Sequence, residues 1–180
     1  MIRWLILIPL SLTFLSCQIS SLTETRSIGL REQIEFNRTV TYKLLDEIEK
    51  SGKARQILAW AAGPDHAPIG WHFMHIASTE DRFAQMLRPG PLVSEELANR
   101  YSSGKQATRN IPSPGQIRRY MDDSRSALLA AIDDFDMNRL NEKPSDEAPF
   151  DFATILKILP FHEAHHQGQA HATFNLWKDK

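Results

Sequence analysis

Two histidines near the C-terminus, His162 and His166, have the spacing of metal ligands. They stand four positions apart in a stretch with helical apolar spacing, so both rings project from one face about one turn apart. The predicted core-facing positions of this helix are Phe152, Ile155 and Leu159, followed by His162, His166, Gln169, Thr173 and Leu176. Burial of unpartnered imidazoles is unfavourable, and a divalent metal ion would supply a partner for both lone pairs. The sequence therefore favours a metal site over two core histidines that bond to neighbouring side chains or water.

A third ligand is expected from another helix, because two histidines rarely complete a metal site. The stretch that follows Trp71 offers His72 and His75, and periodicity does not choose between them. Glu80 would add a carboxylate or a hydrogen bond to a ligand, although a solvated or helix-pairing glutamate is the favoured interpretation. The only cysteine is Cys17, which excludes an internal disulfide and a thiolate cluster. Any metal must therefore be held by histidine and carboxylate groups.

The other histidines and the glutamate of the C-terminal helix are not expected to bind the metal directly. His165 and His171 lie off the predicted face and should face solvent or stand beside the site. The segment HEAHH also fits the His-Glu-x-x-His pattern of zinc metalloproteases, in which Glu163 would be the general base. That interpretation is weak, because only 14 residues follow His166 and Gln169 stands where the extended motif has glycine. Glu163 is expected on the helix flank or as a hydrogen-bonding partner of a ligand.

The elements that must position these residues are predicted to be helices, since no stretch shows convincing strand alternation. The first helix is expected at residues 27–50, with Gly52 as its stop, and the second at residues 68–88. The third is expected to begin after Ser113 as N-cap, with Pro114 in its first turn, and the fourth contains the histidine pair. The third carries a core-facing stripe of Ile117, Met121, Ser124, Leu128, Ala131 and Phe135. Pro160 should kink the fourth helix just before His162. Residues 89–113 are rich in proline and glycine, which predicts a long crossover between the second and third helices with one short helix at residues 95–101.

Composition is consistent with one globular domain. Of 180 residues, 42% are hydrophobic and 24% are charged, the balance of an ordinary folded protein. Twenty-one basic and 22 acidic side chains give a net charge of −1, so there is no electrostatic basis for binding a nucleic-acid backbone. Nucleic acid is therefore not expected as a partner.

Residues 1–22 are predicted to be a signal peptide or lipoprotein signal. Arg3 precedes an apolar run that is shorter than the about 20 residues of a membrane-spanning helix. The run ends in the sequence FLSC, residues 14–17, which resembles the lipobox of bacterial lipoproteins, where the cysteine becomes lipidated. We expect an exported protein whose only membrane attachment is lipid on Cys17, with residues 23–180 as the folded domain. A non-lipidated exported form, a signal anchor, and a cytoplasmic protein with a misassigned start are the alternatives.

Two segments together resemble a known family. Residues 69–80, IGWHFMHIASTE, and residues 162–169, HEAHHQGQ, are similar to motifs of the DinB-like, or DinB/YfiT-like, superfamily of metalloenzymes. In that family the histidine four places after the tryptophan and the two outer histidines of His-x-x-x-His bind the metal, which implies the ligand set His75, His162 and His166. The resemblance also implies an all-α four-helix bundle with a long crossover between its second and third helices, and open coordination positions on a zinc, nickel or iron ion. Gln167 departs from the family, where arginine is common before the Gly-Gln pair.

The resemblance implies two functions of different kinds. The first is a divalent-metal-dependent enzyme that activates water or a low-molecular-weight thiol, as a transferase or hydrolase acting on a small molecule. The second is a non-catalytic metal-binding or ligand-binding bundle, for example in stress-related sequestration. Three neutral histidines favour Zn²⁺, Ni²⁺ or Fe²⁺ over Mg²⁺ or Ca²⁺. A homodimer is a further expectation, and the substrate is not specified by the sequence.

Overall fold

All the regular structure that is described in this chain is helical. The computed structural model describes the backbone of residues 13–180 and the side chains of residues 29–180. The elements are α1 (Thr13–Lys50), α2 (Ala54–Leu58), α3 (Ile69–Leu87), α4 (Glu95–Arg100), α5 (Pro114–Asp133), a short 3-10 helix (Met137–Arg139) and α6 (Phe152–Lys178). No strand occurs within this described range, so the all-α prediction is confirmed.

Local sequence signals set most of the helix ends. At the start of α5 the Ser113 side chain accepts a hydrogen bond from the Gln116 amide, and the Gln116 side chain accepts one from the Ser113 amide. Pro114 occupies the first turn, as predicted. Beyond α1, Gly52 adopts a φ of 71°, which a glycine tolerates best, so its role as a helix stop is also confirmed.

The predicted start of the first helix at residue 27 is wrong, because α1 already begins at Thr13. No proline or glycine interrupts the sequence between residues 10 and 28, so nothing stops a helix from extending through this stretch. The leader predicted at residues 1–22 lies outside the described residues over positions 1–12, and so does the side chain of Cys17. Within the part that is described, no helix has both the length and the apolar content needed to cross a bilayer.

Four helices, α1, α3, α5 and α6, form the bundle, and hydrogen bonds between them give their directions. The contacts are Asp81–Tyr120 and Arg88–Asp134 along α3 and α5, His72–His166 and Thr79–His162 along α3 and α6, and Thr41–Glu163 and Glu47–Lys178 along α1 and α6. Helices α3 and α5 are therefore parallel, α1 and α6 are parallel, and α3 is antiparallel to α6. Parallel consecutive helices need a connection that returns along the bundle, and the segment with α4 supplies it. The predicted long crossover is confirmed.

The apolar core consists of two clusters at opposite ends of the bundle. One surrounds Leu45, Phe73 and Phe174, and the other surrounds Leu128 and Phe152. The predicted stripe of the third helix from Ile117 to Phe135 is buried at every position, and it runs through both clusters. A layer of charged and histidine side chains lies between them, at the middle of the bundle.

The predicted face of the fourth helix is correct only in its first half. Phe152, Ile155 and Leu159 are buried, but Gln169 is exposed and Leu176 is 55% exposed. Beyond Leu159 the buried positions are Glu163, Ala170 and Phe174. A strict repeat of seven residues drifts by about 20° per heptad relative to a straight helix. The histidines consequently lie at the edge of the buried face, towards α3, rather than at its centre.

Candidate metal centre

Three histidines from two antiparallel helices come together between α3 and α6. His75 stands in the second turn of α3, and His162 and His166 stand one turn apart in the middle of α6. Each offers one ring nitrogen, and the three nitrogens lie within 4.8 Å of one another. His75 is 4% exposed, whereas the other two are half-buried. The structure thus brings together all three residues of the predicted ligand set.

The orientation of His75 is fixed by the backbone of the crossover. Its Nδ1 lies 2.6 Å from the carbonyl oxygen of Tyr101, the residue that follows α4. A carbonyl only accepts hydrogen bonds, so the imidazole must donate from Nδ1 and leave the lone pair on Nε2. The hydroxyl of Ser78 lies 2.9 Å from the same carbonyl. The crossover therefore sets both the tautomer and the direction of the His75 ring.

The distances fit a small divalent ion. The Nε2 of His75 lies 3.2 Å from the Nε2 of His162. Two imidazole nitrogens about 2.0–2.1 Å from one tetrahedral ion would be separated by about 3.3–3.4 Å. The His166 ring meets the other two with a centroid separation of 4.5 Å in each case. A cluster of three imidazoles with converging nitrogens is the donor set that borderline ions prefer.

Burial keeps these rings neutral. Burial, the larger cause, and the proximity of the other histidines together lower the pKa of His162 and of His166 to about 3. Burial also lowers the pKa of His75, against the effect of the Tyr101 carbonyl, which raises it. Neutral imidazoles have a free lone pair, which is the form that binds a metal.

His72, the other histidine that periodicity had left open, contacts the cluster without joining it. It is buried, and its Nδ1 lies 3.4 Å from the Nδ1 of His166. Burial lowers the pKa of His72 to about 4. His72 therefore contacts one ring of the cluster, while His75 contributes a ring nitrogen to the cluster itself. His165 and His171 face solvent, as predicted.

Trp71 forms a wall of the site. Its ring stacks on that of His75 at a centroid distance of 4.5 Å and an interplanar angle of 14°. The indole N–H is buried and has no acceptor among the described residues. Stacking restricts rotation of the His75 ring, which explains a tryptophan one helical turn before this histidine.

Comparison with known families agrees with this geometry. A sequence model of the DinB superfamily matches residues 33–170. The chain belongs to the DinB superfamily. The matched range contains all four bundle helices in whole or in part and all three histidines of the cluster. No curated protein sequence matches the chain.

The DinB bundle of this chain also contains a buried ionic layer that the sequence analysis missed. Arg38 of α1 donates to Glu80 of α3 at 2.8 Å and to Glu163 of α6 at 2.8 Å. Arg125 of α5 donates to both carboxylates as well. All four side chains are buried, and each comes from a different bundle helix. Glu80 was expected to be solvated or helix-pairing, and it is buried and paired with two other helices. The flank position expected for Glu163 is wrong, because its carboxylate is buried. No hydrogen bond joins it to a histidine among the described residues, so the alternative of a partner of a ligand finds no support.

A sequence signal for this layer exists. Each of the four residues lies three, four or seven positions from buried apolar residues of its own helix, for example Arg125 between Met121 and Leu128. A charged side chain on the core-facing stripe of a helix must be paired when it is buried. The four bundle helices together carry two positive and two negative residues on such stripes, so all four charges can be paired. Pairing between helices cannot be inferred from the stripe of one helix alone, which is why the sequence did not predict these four residues as one layer.

The ionic layer adjoins the histidine cluster on both helices. Glu163 follows His162 directly, and Glu80 follows Thr79, whose hydroxyl lies 3.4 Å from the Nε2 of His162. Glu163 also accepts a hydrogen bond from Thr41. Because Arg38, Arg125 and Thr41 hold its carboxylate inside the bundle, Glu163 faces away from the histidines. The layer thereby fixes the relative setting of α3 and α6.

Proposed function

We propose that this DinB-superfamily protein binds a zinc, nickel or iron ion through His75, His162 and His166. We further propose that it is an enzyme that uses this ion to act on a small-molecule substrate. The single observation that carries the proposal is the convergence of three neutral imidazole nitrogens, two of them 3.2 Å apart. Unlike a structural zinc site, this donor set leaves coordination positions for water or a substrate.

A bound ion at three histidines would act as a Lewis acid and lower the pKa of a coordinated water or thiol. The rest of the work falls to residues of this chain. Tyr101 and Trp71 hold His75 in place, and the hydroxyl of Thr79, 3.4 Å from the Nε2 of His162, would help to position a substrate. The ionic layer keeps Glu163 paired with arginine, so we do not assign it the general-base role that it would have in a His-Glu-x-x-His protease.

The first experiment measures the metal content of protein purified without a metal-affinity tag. We expect close to one ion per chain in the wild type and a large loss in His75→Ala and His166→Ala. His171→Ala is the matched control, since His171 lies in α6 but faces solvent. Equal metal content in all four proteins would remove the proposed centre.

The second experiment tests catalysis in the metal-loaded protein. Model electrophiles are offered with low-molecular-weight thiols, and simple esters and amides are offered with water. Turnover that disappears in His75→Ala, with the helical content unchanged, supports the enzyme. Turnover that survives in this variant would contradict it.

A binding module without turnover is the second candidate function. One observation favours it: within the described residues, no carboxylate hydrogen-bonds to a histidine of the cluster, and Glu80 and Glu163 are both paired with arginine. A carboxylate general acid or base is therefore missing beside the proposed metal centre. Stoichiometric metal binding with no reaction of any offered substrate would favour this candidate.

A further inference from the structure

A second feature of the groove between α3 and α6 is an apolar cleft of about 320 Å³. Phe83 and Met86 of α3 line one side and Ile155 of α6 lines another. The loop before α6 closes it with Pro144, Ala148 and Phe150. Met86 is 39% exposed and Phe150 is 45% exposed, so apolar side chains face an open concave surface. We call this feature the α3–α6 cleft.

The α3–α6 cleft and the histidine cluster lie on the same faces of α3 and α6. On α3, Phe83 stands one turn beyond Thr79, about 6 Å along the helix axis, and residues four apart share a face. On α6, Ile155 stands seven residues before His162, two turns or about 10 Å along the axis. Because Thr79 is in contact with His162, the cluster and the cleft lie one to two helical turns apart along the same two helices.

We propose that the α3–α6 cleft binds the uncharged, apolar part of a small-molecule ligand whose polar head group sits at the metal centre. This inference rests on the proposed metal function and adds a class of ligand to it. The volume is at the lower end of the range for small-molecule sites, which suits an alkyl chain or a single aromatic ring. Glu147 also lines the cleft, and its carboxylate disfavours an anionic tail.

The test uses zinc-loaded full-length protein and two metal-binding probes that share a head group. Acetohydroxamate has no tail, and octanohydroxamate has an alkyl chain that can follow the groove. Calorimetry measures the affinity of each. Each methylene that enters an apolar site improves binding about fourfold, so octanohydroxamate should bind at least tenfold more tightly.

Filling the cleft separates its contribution from that of the metal. Ala148→Trp places a large side chain in the cleft and should abolish the advantage of the long probe while leaving acetohydroxamate affinity unchanged. Ala62→Trp is the matched control, because Ala62 is an exposed loop alanine outside the cleft. Phe150→Ser, with Phe36→Ser as its control, removes part of the wall by a milder change and should reduce the advantage of the long probe.

The outcomes distinguish failure of the cleft from failure of the metal centre. Equal affinity for both probes would overturn the cleft proposal and leave the metal centre intact. A long-probe advantage that persists in Ala148→Trp would also overturn it, because the tail would then bind elsewhere. A sedimentation change from dimer to monomer in Phe150→Ser would identify the cleft as a subunit interface and refute ligand binding there. If neither probe binds the zinc-loaded protein, both the open metal centre and the cleft proposal are contradicted.

Discussion

The Nε2 atoms of His75 and His162 lie 3.2 Å apart across the groove between α3 and α6. The Tyr101 carbonyl holds the proton of His75 on Nδ1, so a lone pair of that ring points towards the His162 ring. A cation between the two nitrogens would accept both lone pairs. The same arrangement opposes protonation, because imidazolium groups at this distance would repel each other in a partly buried space.

We predict that the metal-free protein loses stability as the pH falls below about 6.5. The pKa values of His162 and His166 are about 3 in the folded state, and an unfolded histidine titrates near 6.5. Between these values the unfolded chain binds more protons, so the free energy of unfolding decreases as the pH decreases. Above pH 7 both states are neutral at these positions and no change is expected. Urea unfolding followed by circular dichroism from pH 5 to 8, with chelator present, measures the effect.

The control for the pH prediction is a histidine that faces solvent. His171→Gln should keep the wild-type dependence on pH, whereas His166→Gln should weaken it. A free energy of unfolding that stays constant from pH 8 to 5 in the wild type would contradict the prediction.

The ionic layer provides a prediction about stability. Glu163→Gln removes one of the two carboxylates that face Arg38 and Arg125, and it leaves a buried positive charge without full compensation. Removal of one partner of a buried pair typically costs about 3–5 kcal/mol. We expect a loss of that size in chemical denaturation.

Arg88 and Asp134 form the matched control for the ionic layer. They make a salt bridge of 2.6 Å between exposed side chains that are 51% and 62% accessible. Arg88→Met should therefore cost no more than about 1 kcal/mol. Similar decreases in the free energy of unfolding for Arg88→Met and Glu163→Gln would mean that burial does not strengthen the ion pairs of the ionic layer.

A prediction about processing concerns residues 1–22, which were assigned to a leader. We propose that the chain is exported in a bacterial host and cleaved before Cys17, which then carries lipid. Intact-mass spectrometry of the membrane fraction should find a chain that begins at Cys17 with the mass of the lipid added, and Cys17→Ser should abolish the modification. Recovery of an intact chain that begins at Met1 would refute export by this route.

The fold was predictable because its signals are local. Gly52, Ser113 and Pro114 mark helix ends through their own backbone and hydrogen-bonding preferences, and the apolar stripe from Ile117 to Phe135 gives a continuous buried face. The prolines and glycines between residues 89 and 113 predicted the crossover because they too act locally, by interrupting helices. The start of α1 was not predictable in this way, since no residue near position 27 stops a helix.

The site was only partly predictable from the residues. Spacing identified His162 and His166, but His72 and His75 both lie on the inner side of α3, and the periodicity of one helix does not say which ring reaches α6. The Tyr101 carbonyl decides the orientation of His75, and it comes from a segment 26 residues away. The pairing of Glu80 and Glu163 with two arginines also depends on contacts among four helices, which no single stripe contains.

Asp81 links the crossover to the metal centre, and its removal gives the last prediction. Its carboxylate accepts hydrogen bonds from the amides of Val93 and Ser94 at 2.8 and 3.2 Å and from the hydroxyl of Tyr120 at 3.0 Å. These bonds hold the segment that leads into α4 and so to the carbonyl of Tyr101. In Asp81→Ala three donors lose their acceptor, which should cost about 2–3 kcal/mol of stability.

The effect of Asp81→Ala should extend to the histidine cluster. If the Tyr101 carbonyl no longer fixes the His75 ring, the zinc affinity should fall about tenfold, because groups that orient a ligand commonly contribute that much. Competition with a chromophoric chelator measures the affinity, and amide exchange at residues 93–101 reports the loosening of the crossover. Asp123→Ala is the control, as Asp123 is an exposed aspartate of α5. Faster amide exchange with unchanged zinc affinity would show that the crossover and His75 are independent. Faster exchange together with weaker zinc binding, in Asp81→Ala but not in Asp123→Ala, would show that the metal centre depends on the crossover between the parallel helices α3 and α5.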